Sequence, residues 1–78
     1  MTVSGIGLTA ENREELLALG ALGWSEHELA VYFGWDEGVF HQEYSNPNSE
    51  ISKLLLRGKL QKRAEIEIRL MNEAIGGN

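Results

Sequence analysis

The chain has 78 residues, no cysteine and a net charge of −5. That length allows one domain at most, in a size range where folding buries only ~60% of the unfolded chain's surface. The missing cysteines exclude disulfide staples and zinc–thiolate sites and fit a reducing, cytoplasmic setting, while a net acidic chain argues against wrapping nucleic acid non-specifically.

Residues 1–8, "MTVSGIGL", lack the basic start and apolar length of a signal peptide and read as a flexible lead-in to a single helical domain over 9–78. Thr9 opens the first helix as its N-cap, with Glu11 near the positive end of the helix dipole and Leu8, Leu16 and Leu17 as apolar contacts. Gly20 and Gly23 frame its end, and "ALG" reads as a frayed last turn.

Ser25 begins a second helix through a capping box with Glu28. Leu29, Ala30, Tyr32 and Phe33 give it a buried side, and Gly34 ends it in the left-handed conformation. Trp35 is the apolar residue before the next cap, Asp36, which starts a helix running to about Tyr44 with Val39, Phe40 and Tyr44 as its apolar positions. "SNPNS" is a loop, because Pro47 forces Asn46 out of helical geometry. Ser49 or Asn48 then caps the longest helix, expected to reach about Ile75.

The expected fold class is therefore all-α: a small four-helix domain with a central helix-turn-helix at about 25–44 and a long C-terminal helix at about 49–75. No apolar segment approaches the ~20 residues of a membrane span; the main candidate is "LAVYF" at 29–33.

The last helix changes its apolar face along its length. Ile51, Leu54 and Leu55 lie on one side, and Leu60, Ala64, Ile68, Met71 and Ile75 continue from Leu56 as a second stripe. One small body cannot cover both. The first turns are expected to pack on the domain, and the second stripe to form a homo-oligomer interface or to meet a further C-terminal segment.

The spacing Ala30, Gly34, Phe40 is what a helix-turn-helix needs: a small residue at a close crossing, a glycine at the turn and an apolar lock on the second helix. An ordinary helical hairpin has the same spacing. On the second helix, Glu37, His41 and Gln42 are the base-contact candidates, yet Asp36, Glu37 and Glu43 make that helix a poor match for a phosphate-lined groove.

Cations must then come from elsewhere. Residues 1–48 carry eight acids and one base, whereas residues 49–78 carry four acids and six bases. Lys53, Arg57, Lys59, Lys62 and Arg63 are the phosphate-contact candidates, with Lys59, Lys62 and Arg63 on one face and Lys53 and Arg57 on another. The alternative is a solvated helix face held by pairs such as Arg63 with Glu67. Gly58, inside this helix at a cost of ~1 kcal/mol, marks a close approach by another backbone.

Signs of catalysis, a cofactor or a metal site are lacking. The "HE" of His27 and Glu28 has no second histidine at metalloprotease spacing, and the "GIG" of 5–7 lacks the rest of a dinucleotide fingerprint. His27 and His41 read as surface histidines, and Trp24 and Trp35 as packing residues at helix starts. No small-molecule ligand is implied.

From Glu14 onward the chain resembles the small helix-turn-helix proteins of phages and prophages, including terminase small subunits. Those families carry "sxxEIAxxLGxxxxxF" followed by a long helix with an internal glycine and a terminal "A..Gn". The matching residues are Ser25, Glu28, Leu29, Ala30, Phe33, Gly34, Phe40, Gly58, Ala74, Gly77 and Asn78. The resemblance implies a non-enzymatic protein that oligomerises, recognises double-stranded DNA during packaging and hands it to a large terminase subunit. A protein-interaction module and a small transcriptional regulator are the alternative roles.

Overall fold

A computed structural model describes residues 6–76, with side chains as far as Glu73. The order is α1 (Ala10–Leu22), α2 (Glu26–Phe33), α3 (Glu37–Ser45) and α4 (Glu50–Gly76), with no strand among the described residues. This is the small all-α fold with a long C-terminal helix that the caps predict.

Each helix start is fixed by local hydrogen bonds. Asn12 N–H donates to Thr9 Oγ1 while Asn12 Oδ1 accepts from Thr9 N–H, and Ser25 and Glu28 make the same reciprocal pair. Asp36 accepts from Val39 N–H. Ser49 caps α4: its Oγ accepts from Ser52 N–H at 3.1 Å while its hydroxyl donates to the Glu43 carbonyl. One buried serine thus joins the end of α3 to the start of α4.

The ends of α1 and α2 share one construction. Gly23 and Gly34 take φ of 77° and 72°, where a side chain is strained. In each case the glycine N–H and the following tryptophan N–H return to the last turn: Gly23 to Gly20 and Trp24 to Leu19, then Gly34 to Val31 and Trp35 to Ala30. This is the Schellman closure. The next residue is already a cap, so "GWS" and "GWD" each turn the chain within three residues.

Leu16, Leu29, Phe40 and Ile51, one from each helix, meet in the core and are almost wholly buried, with Ala30 and Ile6 beside them. Ile6 corrects the reading of residues 1–8 as a flexible lead-in: at 6% exposure it belongs to the core, and Leu8 packs against it partly buried. The apolar length of "IGL" is too short for a helix but long enough to cover core surface. Residues 1–5 lie outside the described residues.

Gly20 requires a second correction. It neither ends α1 nor frays it; it lies inside the helix, buried, where an added Cβ would collide with the Leu55 backbone. Gly58 does the reciprocal thing against the Leu17 carbonyl. Helices α1 and α4 therefore cross backbone to backbone, which bears out the close approach expected at Gly58.

Beyond that crossing every described side chain of α4, from Lys59 to Glu73, is exposed. A 27-residue helix is ~40 Å long, and the molecule measures 53 × 26 × 21 Å. The length comes from α4 projecting past the body.

Candidate nucleic-acid interface

The unit that would read DNA is built from α2, the Gly34 turn and α3. Ala30 lies 1% exposed and Phe40 is fully buried beneath it, so the small residue and the apolar lock occupy the positions that the spacing assigns. Trp35 stacks on Phe33 at 4.3 Å between ring centroids and leans on Phe40 at 5.6 Å, forming the staple that fixes how α3 leaves the turn. Tyr32 packs edge-on against both Trp24 and Phe33. These aromatic contacts make the two tryptophans packing residues.

The outward side of α3 is more committed than its sequence indicates. His27 Nδ1 meets Glu37 Oε1 at 2.5 Å, and His41 Nδ1 meets Glu26 Oε2 at 2.8 Å. The histidines are surface residues as expected, 74% and 64% exposed, but each has a carboxylate partner on the facing helix. Two of the three base-contact candidates, Glu37 and His41, are thus engaged with α2. His41 Nε2 also lies 3.4 Å from Ser45 Oγ. Gln42 is exposed on the same helix and is the candidate best placed to reach a base edge.

Sequence reasoning missed these pairs because their partners are ten and fifteen residues apart and meet only once the Gly34 turn is set. A signal was present: acids at Glu26 and Glu37 and histidines at His27 and His41 sit in the facing turns of a hairpin.

The five cation candidates are all exposed and do not form one cluster. Lys59 lines a groove with Trp24, Tyr44, Ser52 and Leu55, and is the candidate that the fold brings beside α3. Lys62 lines a different groove with Glu14, Leu17, Gly58 and Glu65, beside α1. That separates Lys59 from Lys62, which the helix spacing alone had placed together; the α1 crossing falls between them. Lys53 and Arg57 flank the outer apolar face of α4 with Leu56, Leu60 and Ala64. Arg63 makes the expected i,i+4 pair with Glu67, at 3.5 Å.

Three exposed groups hold shifted protonation equilibria. The Ser25 backbone N–H, and then its hydroxyl region, favour the Glu28 carboxylate and lower its pKa. The hydrogen bond from Tyr32 to Glu15 raises the tyrosine's pKa and ties α2 to α1. Arg13 is raised by its hydrogen bond and charge pairing with Glu50, at 2.7 Å, which ties α1 to the start of α4. The Tyr32 and Arg13 pairs brace one helix against another, and the Glu28 pair closes the start of α2.

Of the assembly candidates, Leu60, Ala64, Ile68 and Met71 are exposed along α4, and Leu60, Ile68 and Met71 keep about half of their surface in water. The Ile75 side chain lies outside the described residues. Among the described residues no group of three or more histidine and acidic side chains is arranged to hold a metal ion, and no helix is long and apolar enough to cross a membrane.

Comparison with protein-family models, curated proteins and solved structures found no match to the chain.

Proposed function

We propose that this protein is a non-enzymatic, double-stranded DNA-binding subunit of the phage terminase small-subunit type, cytoplasmic and working as a homo-oligomer beside a large terminase subunit. The observation that carries the reading is the α2–Gly34–α3 unit, with Ala30 buried at the crossing, Gly34 left-handed and Phe40 locked beneath. The residue-by-residue resemblance to phage helix-turn-helix proteins supports it. Gln42 contacts a base edge, and Glu37 and His41 reach bases only by leaving their partners on α2. Lys59 contacts phosphate next to α3, while Lys53, Arg57, Lys62 and Arg63 add charge along α4.

One copy offers few cations near its reading helix, so affinity has to be summed over an assembly. Titration of labelled duplex DNA at several salt concentrations tests this. Affinity should fall steeply as salt rises, and Lys59→Gln with Lys62→Gln and Arg63→Gln should flatten the slope by ~0.9 per lost phosphate contact. Absence of binding at low salt would refute the reading for this chain.

The second reading is a protein-interaction module in which α4 is the working surface and the helix-turn-helix its support. The two His–Glu pairs favour it, because they occupy side chains that a DNA reader would keep free.

A further inference from the structure

We infer that α4 pairs with α4 of a second copy in an antiparallel crossing centred on Ala64. This deepens the assembly part of the proposed function and does not depend on DNA binding.

The stripe on the outer side of α4 runs Leu56, Leu60, Ala64, Ile68, Met71. Leu56 is 55% exposed, Leu60 48%, and Ile68 and Met71 54% each. Gly58 faces α1 from the opposite side of the helix, so the stripe points away from the body. A long helix whose outer apolar stripe is left in water is marginal, since most helical stability in proteins comes from packing an apolar face. The stripe therefore calls for a second surface of the same kind.

Its spacing is mostly four residues. Such a ridge drifts around the helix instead of keeping a heptad seam, and two i±4 ridges interdigitate where helices cross at about −50°. The best crossing point is the smallest residue, and that is Ala64, midway between Leu60 and Ile68. There two backbones approach closely, as α1 and α4 already do at Gly58.

Charge selects the direction. From Ser49 to Arg63 the helix carries Lys53, Arg57, Lys59, Lys62 and Arg63 against Glu50. From Ala64 to Glu73 it carries Glu65, Glu67 and Glu73 against Arg69. Parallel pairing would align like with like, whereas the antiparallel crossing runs the basic half of one helix past the acidic half of the other. Leu60 then meets Ile68 of the other copy, while Leu56 and Met71 lie farther out, where the two helices diverge. Ile66 and Leu70 lie off the stripe and stay exposed.

Light scattering on the full chain, without DNA, should give twice the 8.7 kDa chain mass, and Ala64→Glu should return it to one copy with helical circular dichroism retained. Because the chain has no cysteine, direction can be read by cross-linking. Leu60→Cys mixed with Ile68→Cys should form the mixed disulfide on mild oxidation in preference to either self-paired product. A single-copy mass at every concentration, a mass above two copies, or preferential self-pairing of Leu60→Cys would overturn the proposal. Should Ala64→Glu fail to fold, the cross-linking decides alone. As no DNA is present, failure here is distinct from failure of the duplex titration.

Discussion

Gly58→Ala separates two effects of opposite sign. Alanine is preferred over glycine inside a helix by about 1 kcal/mol, so in a free helix the change is stabilising. Here the added methyl would fall on the Leu17 carbonyl oxygen, closer than any real contact allows. The obstacle is α1 backbone, which cannot rotate aside as a side chain would. The helices must separate, loosening Leu16 and Ile51, both almost fully buried. Forced overpacking of this kind costs about 1–3 kcal/mol, so after the propensity gain of about 1 kcal/mol the net expectation is a loss of up to about 2 kcal/mol. For a domain of this size each 1 kcal/mol lowers Tm by roughly 4–8 °C. Thermal unfolding followed by circular dichroism measures it, with Gly38→Ala as control. At Gly38 the added methyl meets only the flexible Asp36 carboxylate, at 3.2 Å from the Oδ2 that accepts from Val39 N–H, so that variant should stay within about 1 kcal/mol of the parent, the propensity gain set against a disturbed cap. A Gly58→Ala protein more stable than the parent by the full propensity gain of about 1 kcal/mol would refute the backbone-to-backbone crossing.

Ser25→Ala should lose about 1 kcal/mol, measured by urea unfolding, because one N-terminal N–H of α2 loses its acceptor. Glu28 has a lowered pKa in the folded chain, so its stabilising contribution is complete above its ordinary value of 4.5 and is lost as pH falls through the folded value. Urea midpoints in the acid range should therefore depend less on pH in Glu28→Gln, and an unchanged dependence would count against the capping box as the cause. Glu37→Gln removes a carboxylate from the outward side of α3, so duplex affinity at low salt should rise; a fall would indicate that Glu37 itself reads a base. A double-mutant cycle on Glu26 and His41 should return less than about 1 kcal/mol, as expected for an exposed pair.

What the sequence made legible was local. Thr9, Ser25, Asp36 and Gly34 each act within four residues of themselves, so helix starts and the central turn could be read from caps alone. What was hidden depended on the crossing of distant segments. Gly20 looked like a terminator because glycine usually is one, and its true neighbour, Leu55, is 35 positions away. Ile6 looked like part of a tail because nothing near it in sequence shows the core it covers. Lys59 and Lys62 share a helical face by count, and only the position of α1 assigns them to different grooves. The site inherits this division: its shape was readable, and the engagement of Glu37 and His41 with α2 was not.

The paired Gly–Trp–cap corners also bear on the order in which the chain folds. Each corner closes within six residues, from Leu19 to Trp24 and from Ala30 to Trp35, whereas the Gly20–Leu55 contact closes a loop of 35. Loop-closure entropy grows as 1.5RT ln n, which sets the long contact about 1.6 kcal/mol behind the short ones before any packing is counted. The two corners thus carry the smaller closure cost, and the docking of α4 carries the larger one. A sequence change in α4 beyond Gly58, where its side chains are exposed, can then alter how far the arm projects, or what it meets, while leaving the hydrogen bonds of the two corners in place.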